Sequence, residues 1–151
     1  THNVSSAASD VYKRQDIDCE LKVISAHRSP DVLIEYLKTS KERGCKIYIA
    51  IAGMAAHLAG AVAANSTAPV LGVPSENSSL NGLDAILSTL QMPSGVPVAT
   101  FATGTAGASN AGIFAAQILG TFNSDMEEKL VGFKQELRQK TIEKDKNLDR
   151  D

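Results

Sequence analysis

The chain has 151 residues, 43% of them apolar and 21% charged, with a formal net charge of −2. That length can bury the core of one domain, and the composition is that of an ordinary globular protein. No basic surplus exists to neutralise nucleic-acid phosphates, and no apolar run approaches the ~18–20 residues of a membrane span, so the expected setting is cytoplasmic, with neither nucleic acid nor membrane as partner.

The opening THNVSSAASDVYKRQ, residues 1–15, shows neither helical nor strand periodicity and no signal-peptide apolar region. It reads as a disordered tail or as sequence foreign to the domain, which then spans 16–151. Cys19 to Ile24 alternates and then turns apolar, predicting a half-buried strand. Ser29-Pro30-Asp31 is a helix start: a capping hydroxyl, a fixed φ and an acid in the first turn. That helix should run to about Arg43, with Leu33, Leu37 and Ser40 inward and Gly44 ending it. KIYIAIAG is a second strand, and AGMAAHLAGAVAANS a loop feeding a small-residue helix. PVLGVP is a third strand, apolar on all sides and hence buried and parallel. NGLDAILSTLQM is a helix, GVPVATFA a fourth strand and SNAGIFAAQILG another helix. Strands alternating with helices specify βαβ units, an α/β fold with a parallel sheet.

The last helix is predicted over 124–145, opening on a capping box at Ser124. Met126, Leu130, Phe133 and Leu137 give it one narrow apolar stripe, fitted to its own domain or to another subunit. Cys19 and Cys45 lack a C-x-x-C partner and read as buried free thiols of a reducing compartment.

Chemistry is expected first at VISAHRSPD. His27 and Arg28 stand at the carboxyl end of a strand, where open α/β sheets bind ligands. Histidine is the side-chain type that exchanges protons near neutrality, and the arginine fork suits phosphate or carboxylate. Ser25 adds a hydroxyl. His57 in AIAGMAAHLAG reads more readily as a structural helix-start histidine, beside a glycine and alanines that let a ligand approach the backbone. The G-x-G-x-x-G fingerprint is missing, and no thiol or carboxylate falls at metal-ligand spacing with His27 and His57. Asn81, Asp84 and Gln91 are polar groups in an apolar segment, with no G-x-S-x-G elbow. ATGTAGASNAG lacks a P-loop lysine, which leaves backbone anion binding rather than nucleotide hydrolysis.

Taken together, SAHRSPD, AGMAAHLAG, LGVP, LNGLDAILSTLQMPSGVPVAT and GASNAGIFAAQIL resemble the class I 5-(carboxyamino)imidazole ribonucleotide mutases over roughly residues 17 to 120. The resemblance implies a flavodoxin-like three-layer α/β/α sandwich and an isomerase of de novo purine biosynthesis. Its reaction moves a carboxylate from the exocyclic nitrogen of the imidazole to ring carbon 4, giving 5-amino-1-(5-phosphoribosyl)imidazole-4-carboxylate, with no cofactor and no metal. By position, His27 matches the catalytic proton carrier, and Arg28 with Ser25 the ribose-phosphate grip. Ala52, Gly53 and Met54 match the loop lining the imidazole and carboxylate, and His57 and Leu58 pocket-shaping positions. The implied partners are a small-molecule ribonucleotide and further copies of the chain, in a homo-octamer built on the C-terminal helix and core faces.

The family's N-terminal strand, G-S-x-S-D loop and first helix are expected to be missing, because only fourteen residues separate Asp10 from Ser25. Ser9-Asp10 is then coincidental, and weak turnover or none is expected. Two other readings stand beside the mutase: a phosphoribosylaminoimidazole carboxylase using free carbon dioxide, and a non-catalytic flavodoxin-like binding module.

Overall fold

In the computed structural model, residues 2–148 are described. Three parallel strands form one sheet in the order β1-β2-β3. They are β1 (Tyr48–Gly53), β2 (Val70–Ser75) and β3 (Ala99–Thr100). β1 pairs with β2 from Tyr48↔Val70 to Gly53↔Ser75, so both strands end level. β2 is buried along its whole length, which is why its sequence is apolar without alternation. The result is the flavodoxin-like α/β arrangement implied by the motifs.

Six helices accompany the sheet among the described residues: α1 (His2–Gln15), α2 (Pro30–Glu42), α3 (Leu58–Ala64), α4 (Leu83–Leu90), α5 (Gly104–Gly120) and α6 (Ser124–Lys146). Leu33 and Leu37 of α2, Tyr48 and Ala50 of β1, Ala59 and Val62 of α3 and Val70 of β2 make one core. Ser40 joins the inward face of α2 because its hydroxyl meets the Tyr48 hydroxyl at 2.7 Å, so two buried polar groups satisfy each other. Gly44, at φ +90, ends α2 as predicted. α4 lies against β2 at Gly72, where a Cβ would overlap Thr89 Cγ2 and come within 2.9 Å of Val98 Cγ1. Two compact units emerge, one reaching to Ala115 and one from Ala116 onward.

Several expectations are corrected. Residues 2–15 are helical, not patternless, and a first helix is therefore present. Its inward face is made of small and polar residues: Ala8 and Gln15 are buried, and Val11 meets Gly112 of α5. Val4, Ala7, Ala8, Val11 and Tyr12 nevertheless keep helical spacing, so the periodic signal was present in mostly small residues. Cys19–Ile24 is not a strand, because no described strand supplies it with a ladder. Val23 is fully exposed there, and Cys19 is exposed rather than buried. The segment is tied down instead by Glu20, whose carboxylate meets the Arg43 guanidinium at 2.6 Å. Cys45 is half-buried, and both thiols are free.

β3 is two residues long where eight were expected; Pro97, with no N–H for a ladder, lies just before it, and Phe101 N–H still donates to the Gly72 carbonyl just after it. α5 begins at Gly104, so most of the glycine-rich stretch is helix rather than loop. The cap of α6 is Asn123, one residue earlier than predicted, its side-chain oxygen accepting from the Met126 N–H at 3.1 Å. Of the α6 stripe only Met126 is buried, packed near Gly120, while Leu137 is 48% exposed.

Candidate functional site

Parallel strands all deliver their carboxyl ends to one edge of a sheet. Here that edge gathers the loops after β1, β2 and β3, and the turn before α2 reaches it through His27. In that turn Ile24 and Ala26 pack on the core, while His27 and Arg28, which follow them, are exposed. The backbone is locked by two serines. The Ser29 hydroxyl donates to the Ser25 carbonyl at 3.1 Å and accepts from the Ser25 N–H at 3.3 Å. Ser25 Oγ accepts from the Arg28 N–H at 3.1 Å, which leaves its own proton free to donate to a ligand. Ser29 thus holds the turn and does not cap the helix with its side chain, as the sequence had suggested.

The loop after β1 is tight. Ala56 N–H donates to the Met54 carbonyl at 2.8 Å and His57 N–H to the Ala55 carbonyl at 2.5 Å. Ala52 is half-buried at the end of β1, Ala56 is buried, and Leu58 opens α3 with its side chain against the core. Gly53 packs closely: a Cβ there would sit 3.3 Å from the Ser75 carbonyl, tighter than ordinary contact. Met54 adopts φ +57 with its side chain 62% exposed. A non-glycine residue in this conformation costs on the order of 1 kcal/mol.

The fold brings together two histidines that the sequence treated apart. The His27 and His57 rings lie 4.9 Å apart between centroids, tilted by 35°. His57 also occupies the cap position of α3 but makes no side-chain capping bond. The pair presents two imidazoles on the same edge as Arg28, a setting able to hold an anionic group and move a proton beside it. Among the described residues no group of three or more His, Cys, Asp or Glu could hold a metal ion.

Sequence reasoning missed the polar run after β2. Ser75, buried, donates to Asn77 Oδ1, and the Thr103 hydroxyl donates to Glu76 Oε1, clasping the loops after β2 and β3. The signal was available, since Ser-Glu-Asn follows a buried strand just as Ser-Ala-His-Arg follows Ile24. Asp84 accepts from Ser78 Oγ at 2.7 Å and so shapes this loop, in which Asn81 takes φ +52. Gln91 is exposed at the end of α4, away from these contacts. The Glu76 carboxylate approaches the first residues of α5, a place the glycine-rich motif had offered to an external anion.

Comparison with known proteins follows the same lines. The AIR carboxylase family model matches residues 2–140, which include α1. A Bacillus subtilis protein named N5-carboxyaminoimidazole ribonucleotide mutase is 49% identical over 141 residues, covering 93% of this chain and 87% of its own length. A protein of the same name from Vibrio vulnificus is 50% identical over 129 residues, covering 85% of this chain and 80% of its own. The crystal structure of Treponema denticola PurE superposes with a TM-score of 0.88 at 27% identity, covering 99% of this chain and 92% of that one. No described helix is long and apolar enough to cross a membrane. With the family model spanning most of its length and two relatives near half identity, the chain belongs to the AIR carboxylase family.

Proposed function

We propose that the chain is an isomerase of purine biosynthesis that converts N5-carboxyaminoimidazole ribonucleotide to 5-amino-1-(5-phosphoribosyl)imidazole-4-carboxylate. Near-half identity to relatives named for that activity supplies the reaction. The observation that carries the site is the exposed His27 imidazole, held beside Arg28 and against His57 at the carboxyl edge of a parallel sheet. In the proposed cycle the bond from exocyclic nitrogen to carboxyl carbon breaks, the nitrogen gains a proton from His27, and carbon dioxide stays beside the ring. Carbon 4 then attacks it, and His27 removes the ring proton, so the residue ends as it began. Retaining carbon dioxide requires close walls and excluded water, a role that falls to Ala52, Gly53, Met54, His57 and Leu58 by the family match. Arg28 and the free Ser25 proton hold the ribose phosphate. The chemistry calls for no metal or organic cofactor.

The setting is cytoplasmic, and the assembly is a homo-octamer in which the exposed stripe of α6 meets a neighbouring copy; the exposure of Leu137 supports this. Ser9 and Asp10 lie inside α1 rather than on a loop, with Ser9 Oγ donating to the Ser5 carbonyl at 3.1 Å. They furnish no serine-aspartate loop.

The decisive test is His27→Asn, with conversion followed by absorbance and ribonucleotide binding by calorimetry. A mutase loses conversion and keeps measurable binding. A non-catalytic module is indifferent in both. The family description favours one second reading, a carboxylase acting on aminoimidazole ribonucleotide and free carbon dioxide. A rate that depends on added bicarbonate would select it.

A further inference from the structure

We infer that Asn77 is a further ligand-binding residue, its side-chain amide donating to the carboxylate of the ribonucleotide at the end of β1. This deepens the mutase reading above and rests on it.

Asn77 lies two residues beyond β2, in the polar run Ser75-Glu76-Asn77. β1 and β2 end level at Gly53↔Ser75, which brings this run beside the loop that leads to His57. The Asn77 Cγ stands 3.5 Å from where a Gly53 Cβ would be, so the carboxamide lies against the end of β1. Half of that carboxamide is already engaged. The buried Ser75 hydroxyl donates to Asn77 Oδ1, which fixes the amide and leaves the two Nδ2 protons. Among the described residues Nδ2 has no hydrogen-bond partner. The residues on either side are pinned. Glu76 Oε1 accepts from the Thr103 hydroxyl, and Ser78 Oγ donates to Asp84 at 2.7 Å while accepting from the Leu80 N–H at 3.2 Å. A free donor pair held between two anchored neighbours is preorganised, so binding loses little to ordering it.

The chemistry selects the ligand group. N–H donors suit an oxygen anion. Arg28 and Ser25 serve the phosphate, and from Gly53 to Ala56 the facing loop has no side-chain donor. The migrating carboxylate is the anion that needs one. A neutral amide holds it without the full positive charge that would stabilise the carboxylate and slow its departure as carbon dioxide.

Asn77→Asp keeps the shape: Ser75 can still donate to an oxygen in the same place, while the free N–H pair becomes a second oxygen. Binding of the 4-carboxylate ribonucleotide, measured by calorimetry, should weaken about tenfold or more. Binding of aminoimidazole ribonucleotide, which has the same ribose phosphate and no carboxylate, should be unchanged. Asn77→Ala should weaken the 4-carboxylate complex less, because no like charge replaces the lost donor, and should again spare the aminoimidazole ribonucleotide. Equal weakening of both ligands would mark a general disturbance of the loop and overturn the inference. Unchanged binding of both in Asn77→Asp overturns it too, and leaves the mutase reading standing. A wild type that binds neither ribonucleotide overturns both.

Discussion

Gly72→Ala tests how closely the sheet and α4 are fitted beneath the site. Gly72 sits in the middle of β2, paired with Ala50 on one side and Thr100 on the other. An added Cβ would overlap Thr89 Cγ2 and lie 2.9 Å from Val98 Cγ1. Neither neighbour is free to swing. Thr89 is buried, and its hydroxyl donates to the Ala85 carbonyl at 2.7 Å; its own carbonyl accepts from Thr100 Oγ1 at 3.2 Å. Two opposed terms set the sign. Removing a glycine stabilises by about 0.4–1 kcal/mol through the unfolded chain. Overpacking a rigid core costs about 1–3 kcal/mol, and a double collision against a pinned side chain places this case at the upper end. The net loss expected is about 1–2 kcal/mol, or roughly 2–8 °C in melting temperature for a chain of this size. Thermal unfolding followed by circular dichroism is the assay. Thr89→Ser in the same background removes the colliding methyl and keeps the hydroxyl, so it should recover most of the loss. A Gly72→Ala protein as stable as wild type, or no recovery with Thr89→Ser, would refute the packing argument. Gly132→Ala is the control of opposite sign: nothing lies within 4 Å of its Cβ position in α6. Its expected gain is about 0.5–1 kcal/mol of helix stability.

The buried hydroxyl pair gives an asymmetric result. Tyr48→Phe leaves Ser40 Oγ its bond to the Leu37 carbonyl at 3.1 Å, so the cost should be about 1 kcal/mol. Ser40→Ala leaves the Tyr48 hydroxyl only a 3.4 Å contact to the same carbonyl and should cost more, about 1–3 kcal/mol; equal losses in denaturant titrations would contradict this. Asn123→Ala removes the cap of α6 and should cost about 1 kcal/mol, read as reduced helix content on warming. Burial, with Cys19 and Cys45 nearby, pushes the Tyr12 phenol well above its ordinary value. The folded chain therefore holds that proton more tightly than the unfolded one. Its contribution is whole below a pH of about 10 and is lost as pH rises from there toward the folded value. Tyr12→Phe should flatten the alkaline fall in stability, and an unchanged slope would count against a buried phenol.

The degree to which each part was legible follows from how local its cause is. Leu33, Leu37 and Ser40 were predicted inward on α2 and are buried there, because a helical stripe bounded by Ser-Pro-Asp and Gly is written within sixteen residues. The α1 helix escaped notice although its apolar–polar contrast matches that of α2, because its inward Ala8, Val11 and Gln15 are small or polar and no acid marks its first turn. The strand expected at Cys19–Ile24 did not form, since alternation predicts a willingness to pair and not the presence of a partner. His27 and Arg28 were singled out by their chemistry and by the end of a strand that did not form, and both follow a turn anchored by Ile24 and Ala26.

By itself the sequence determined the alternation of β and α elements from KIYIAIAG onward, the buried character of PVLGVP, and the turn before α2 that carries Ser25, His27 and Arg28. Periodicity, caps and turn residues act over a few positions, so one dimension is enough to read them. Only the tertiary structure decided that His57 faces His27, that Glu76 meets Thr103, and that Met54 carries a glycine's dihedral angle with its side chain in the open. Each of those depends on where parallel strands end in space. That is set by the register of β1 on β2 and the packing of Gly53 on Ser75, contacts between residues more than twenty positions apart.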